Sequence, residues 1–122
     1  MSRDDLIARL KAATGPDREL DARLCIALGL SRDNVMVGVG GWCINSETNP
    51  NPYKSPAYTA SIDAALTLVP EGWLWRIMPS DFDGWLAEVW TDDTLDCEFG
   101  VRAKTPALAI CIAALRAREV VS

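Results

Sequence analysis

Two alanine-rich segments bracket the most aromatic stretch of this chain, and each carries its own helix start signal. In residues 58–73, Ser61 precedes Ile62, Ala65, Leu66 and Val69 at helical spacing, with Asp63 in the first turn and Pro70-Glu71-Gly72 as a stop. Thr59 competes with Ser61 as the cap. In residues 105–116, Thr105 is the cap and Pro106 the first helical residue. The body of this segment is apolar almost all round until Arg116. A helix with no polar side is buried on more than one side, so the chain must fold with this helix between other layers.

Between the two helices the pattern changes from helical spacing to alternation. Strands are predicted over residues 73–78, 84–90 and 97–102, with turns at 79–83 and 91–96. Connections this short make an antiparallel meander. Alternation puts Trp73, Trp75, Ile77, Trp85, Ala87, Val89, Cys97, Phe99 and Val101 on one face, which reads as core. Leu74, Arg76, Met78, Leu86, Glu88, Trp90, Glu98, Gly100 and Arg102 share the other, mixed face. Its apolar members call for a covering element there as well.

Upstream, a helix to about Ala13 starts from a capping box formed by Ser2 and Asp5. Thr14-Gly15-Pro16-Asp17 breaks it, with Pro16 opening a second helix that runs to about Leu28 before Gly29. Residues 31–56 are irregular. They offer one strand or a short hairpin around Val35–Ile44, then a loop rich in proline and asparagine. The predicted fold is α+β: a three-layer α/β/α sandwich around a small antiparallel sheet, in the order α-α-(β)-α-β-β-β-α. One domain accounts for all 122 residues, and an apolar fraction of 49% supplies its core without metal or disulfide staples.

Composition narrows the chemistry. There is no histidine, so the usual general base of hydrolases and the commonest zinc ligand are missing. Val37-Gly38-Val39-Gly40-Gly41-Trp42 lacks the spacing and the following helix of a dinucleotide loop. No cofactor is expected. Net charge is −5, which disfavours nucleic acid. The α-β-β-β-α core invites comparison with double-stranded RNA-binding domains, but the last helix lacks a basic start. No signal peptide and no membrane span are predicted. The four cysteines, at 25, 43, 97 and 111, form no C-x-x-C pair and read as buried thiols of a cytoplasmic protein.

Candidate contact residues come from the irregular region and the turns. Trp42, Tyr53 and Lys54 lie in the first. Asp81 and Asp83 in one turn, with Asp92, Asp93 and Asp96 in the next, read first as solvated residues; no calcium-loop pattern is met. An acidic surface beside Trp90 would suit a basic protein partner. Five tryptophans are many for this length. Trp75 and Trp85 are expected to fill the core, and Trp42 and Trp90 to be exposed. Arg76, Glu88 and Arg102 form an alternative ligand pocket on the mixed face.

The run from Thr59 to Leu66, then Val69-Pro70-Glu71-Gly72-Trp73, then the run from Pro106 to Leu115, resembles the small phage and prophage proteins of the phage ABA sandwich domain family. The opening Leu6-Ile7-Ala8-Arg9-Leu10 and the segment 13–21 are similar to the way those proteins often begin. The resemblance spans most of the chain apart from residues 31–56. It implies helices sandwiching a sheet, and a phage or prophage setting in the cytoplasm of a bacterial host. It carries no established catalytic residues.

The leading expectation is a small, acidic, non-enzymatic phage or prophage protein that binds another protein. Occlusion of a host defence system, as in anti-CRISPR activity, is one form of that role. A compact enzyme or small-ligand binder using the mixed sheet face is the first alternative. A phage structural or assembly protein is the second, and homo-oligomers would mark it.

Overall fold

The computed structural model describes residues 3–28, 35–37, 42–45, 53–80, 84–91 and 94–121, with side chains over 3–28, 55–80, 84–91 and 100–118. It has the expected α+β arrangement, with helices flanking a small three-stranded antiparallel sheet. The elements run α1 (Arg3–Ala12), α2 (Arg18–Ala27), β1 (Val35–Val37), β2 (Trp42–Asn45), β3 (Tyr53–Lys54), α3 (Ile62–Leu66), β4 (Leu74–Pro79), β5 (Trp85–Thr91), β6 (Thr94–Ala103) and α4 (Pro106–Val121).

The last helix is built as its sequence requires. Thr105 Oγ1 accepts from the amide of Leu108 at 3.2 Å, and Pro106 is the first helical residue. Every residue from Ala107 to Leu115 is buried. One side of α4 lies on β5 and β6, while α1 and α3 pack against it elsewhere. Each fully buried Leu or Ile on it contributes roughly 1.5–3 kcal/mol of transfer free energy. Arg118, in its last turn, donates from Nε to the carbonyl of Leu68 at 2.6 Å.

Ser61 caps α3, accepting from the amide of Ala64 at 3.2 Å. The helix is shorter than its spacing predicts. After Leu66 the amides of Thr67, Leu68 and Val69 reach back three residues rather than four, a tightened turn that ends at Pro70. Thr59, the competing cap, serves α2 instead. Its amide donates to Asp21 Oδ1 at 2.8 Å, and its hydroxyl lies 2.7 Å from the same oxygen. Asp21 is fully buried and takes a third bond from Arg18 at 2.6 Å. Asp17, not Pro16, starts α2, because its carboxylate accepts from the amides of Glu19 and Leu20. Proline has no side-chain acceptor for those orphan donors.

Glu19 joins the first two helices, 2.6 Å from Arg9 and 3.2 Å from Arg23. The two guanidinium groups, Arg9 first, hold its carboxyl below the ordinary value of 4.5. A lowered folded-state pKa stabilises the fold above the unfolded value and ceases to do so as pH falls through the folded one. We therefore expect Glu19→Gln to be slightly less stable than the parent at pH 7. The gap should close as pH falls below 4.5 and through the lowered folded-state value, read from urea midpoints across the acid limb.

Residues 31–56 are more regular than their composition predicts, holding three short strands in the order β1-β2-β3. Met36 lies opposite Ile44, and Trp42 opposite Lys54. This small sheet packs on α2. In the meander, β6 begins at Thr94 rather than Cys97, because Thr91 pairs with Thr94. Asp96 is therefore a strand residue, not a turn residue. A register shift between Val89 and Thr91 absorbs the mismatch.

Candidate functional site

The sheet is an ordered row, β4-β5-β6, so among the described residues β4 and β6 are its edges. Helix α4 covers β5 and β6, and α1 also reaches β6. The core-face residues Ala87, Val89, Val101 and Ala103 are buried beneath this layer. On β4 the cover runs out. Ile77 still packs against the core, but Trp75, on the same face, is 48% exposed. Trp75 was expected in the core, and its edge position overturns that. Leu74, on the opposite face of the same strand, is 43% exposed.

The mixed face is partly open to solvent. Leu74, Arg76, Gly100 and Arg102 are exposed, and Met78, Leu86 and Trp90 are half-buried. Its centre is the row Arg76, Glu88, Gly100 across the three strands. Arg76 Nη2 donates to Glu88 Oε2 at 2.8 Å. The guanidinium also lies over the Trp90 ring, 5.8 Å from its centroid, where the ring quadrupole attracts a cation. Glu88 is only 9% exposed, so its charge is held between the sheet and this arginine.

Of the three residues of the alternative pocket, Arg76 and Glu88 therefore meet. Arg102 stands one row away, opposite Leu86. An ion pair across the strands already engages the cation and the carboxylate that a ligand would need. Of the contact candidates, Trp90 belongs to this cluster. Asp81, Asp83, Asp92 and Asp93 lie outside the described residues, as do the side chains of Trp42, Tyr53, Lys54 and Asp96. Leu74 and Trp75 are additions. A meander's first strand is an edge by construction, and that was the available signal.

The interior polar groups have a structural role. Tyr58 sits between two buried thiols. Its hydroxyl is 3.7 Å from Cys25 Sγ, and its carbonyl accepts from Cys111 Sγ at 3.4 Å. Burial pushes the Cys111 thiol far up, and the negative charge of Asp21 adds to this. Burial raises Cys25 as well, against a lowering hydrogen bond from Tyr58. Thiols held protonated are poor nucleophiles. Among the described residues, no group of three His, Cys, Asp or Glu side chains could hold a metal ion. Among the same residues, no helix is long and apolar enough to cross a membrane.

No protein-family model, no curated protein and no solved structure matches this chain.

Proposed function

We propose that this chain is a small binding protein that engages another protein through the β4 side of its sheet. The observation that carries the reading is the exposure of Leu74 and Trp75 on β4, while α4 packs chiefly on β5 and β6. Tryptophan and arginine are the residues most often found at the energetic centre of interfaces. Here Trp75, Arg76 and Trp90 lie on adjacent strands of one sheet. A large apolar side chain left in water on each face of one strand is unfavourable for a lone molecule and becomes favourable when a partner covers it.

The resemblance to phage ABA sandwich proteins gives this reading its setting: a phage or prophage protein in a bacterial cell, whose partner is a host protein such as a defence component. The net charge of −5 favours a partner with a basic surface. Inhibition would then follow by occlusion, with no chemistry required of the binder.

Site-specific photo-crosslinking tests this. With p-benzoylphenylalanine at position 75 in bacterial cells, we expect one dominant adduct to a second protein. The same group at the exposed position Asp4 on α1 should give none. Equal labelling from both positions, or no adduct at 75, would sink the proposal.

A further inference from the structure

The exposed side chains of β4 specify how a partner would sit. Trp75 points to the α4 side of the sheet and Leu74 and Arg76 to the other. A helix or loop docked on either face would cover one of these and leave the other in water. Only a segment lying in the plane of the sheet, beside β4, reaches both, because its own side chains alternate between the faces. The backbone is ready for such a segment. β4 is six residues long and pairs with β5 without a break from Leu74↔Trp90 to Pro79↔Trp85. The register shift of this sheet falls between β5 and β6, not on β4. Among the described residues, no strand pairs with the outer side of β4. Of the devices that natural sheets use against pairing, β4 carries a charge, Arg76, and a proline at its end, Pro79, but its ladder with β5 has no bulge.

Charge selects the occupant. Arg76 sits mid-strand with its side chain 55% exposed, and its cross-strand neighbour on β5 is Glu88. On the outer side no described strand takes the corresponding place, and a residue there would share the face of Arg76. A second copy of β4 does not suit it. The strand reads Leu-Trp-Arg-Ile-Met-Pro and holds no acidic residue, so self-pairing adds no second carboxylate beside the Glu88 that Arg76 already holds, and in one register it sets Arg76 against itself.

Resting on the protein-binding reading above, we infer that β4 accepts an extended partner segment as a fourth strand. That segment carries an acidic residue opposite Arg76 and apolar residues opposite Trp75 and Ile77. The acidic residue is a local requirement and is compatible with a partner that is basic elsewhere.

The test uses the full chain and a nine-residue peptide of alternating threonine and valine with aspartate at its centre. A matched peptide carries lysine there. Amide hydrogen exchange should slow at the outward-facing amides of residues 74–78 when the aspartate peptide is added. That peptide should also bind about threefold more tightly than the lysine peptide, the size of an exposed ion pair. Arg76→Gln should abolish the preference while the exchange protection persists. Thermal unfolding of the variant alone reports whether it is folded. Unchanged exchange at 74–78 with both peptides would overturn strand addition, and equal affinity for the two peptides would overturn the acidic requirement. Concentration-dependent self-association that protects the same amides would make the occupant a second copy. A crosslink from position 75 together with free exchange of the β4 amides would preserve the binding reading and remove only this one.

Discussion

Asp21→Ala should destabilise the fold by about 2–4 kcal/mol, the cost of leaving a buried donor unsatisfied together with the loss of a partly buried ion pair. Asp21 is fully buried and accepts from the Thr59 amide, the Thr59 hydroxyl and Arg18. Arg18 in turn donates to the carbonyl of Ser55 at 2.7 Å. These bonds join α2 to the segment that leads into α3, across nearly forty residues of chain. Alanine leaves the buried Thr59 amide without its acceptor, while Arg18, whose side chain is 30% exposed, loses its ion pair and keeps the Ser55 carbonyl. Since whole domains are stable by only about 5–15 kcal/mol, the variant should lose a large share of the total. Asp21→Asn keeps an oxygen for Thr59 but turns an amide toward Arg18, so it should fall between parent and alanine. Urea midpoints with an unchanged slope would check this. The double variant Asp21→Ala with Thr59→Val should cost less than the sum of the singles, because the bond between the Thr59 hydroxyl and Asp21 is lost in each single and so counted twice in their sum. Strict additivity would mean that the two side chains do not share a bond.

That network marks the limit of what the sequence discloses. Ser61 and Thr105 were legible as caps because a cap acts within three residues of itself. The two faces of the meander were legible because alternation is local, and it set Arg76, Glu88 and Trp90 together on one face before any coordinates. Asp21 was not legible. Early in a helix it reads as a charge favoured by the helix dipole, and only the distant Thr59 makes it a buried acceptor. Trp75 failed differently. Its face was read correctly, but burial depends on which strands the last helix crosses, and α4 crosses β5 and β6. The β5–β6 turn was drawn too long because Thr94 and Asp96 look like turn residues. The pairing of Thr91 with Thr94 extends the ladder over them. In residues 31–56, prolines and glycines concealed strands whose partners are distant in the chain, as Trp42 and Lys54 are.

Gly84→Ala should lower stability by more than about 3 kcal/mol, and Gly72→Ala by only about 1–2 kcal/mol. Both glycines have positive φ, 98° and 85° respectively, so each alanine meets the same backbone penalty. Their surroundings differ. A Cβ at Gly72 has nothing within 4 Å, whereas one at Gly84 would clash with the carbonyl oxygen of Ala103. That oxygen belongs to the backbone at the end of β6, which cannot turn aside as a long side chain could. Relief requires β6 or the turn before β5 to shift. The turn also holds β4, because the amide of Ser80 donates to the carbonyl of Gly84 at 3.0 Å. The extra loss at Gly84 should therefore be accompanied by faster amide exchange in β4, and Gly72→Ala should leave the exchange of that strand unchanged. Equal destabilisation by the two variants would show that the close approach to Ala103 does not constrain the fold. A large loss at Gly84 with unaltered β4 exchange would confine the damage to the β5–β6 side. If β4 does loosen, Gly84→Ala would weaken any partner that pairs along it, through the position of the strand rather than through a contact residue.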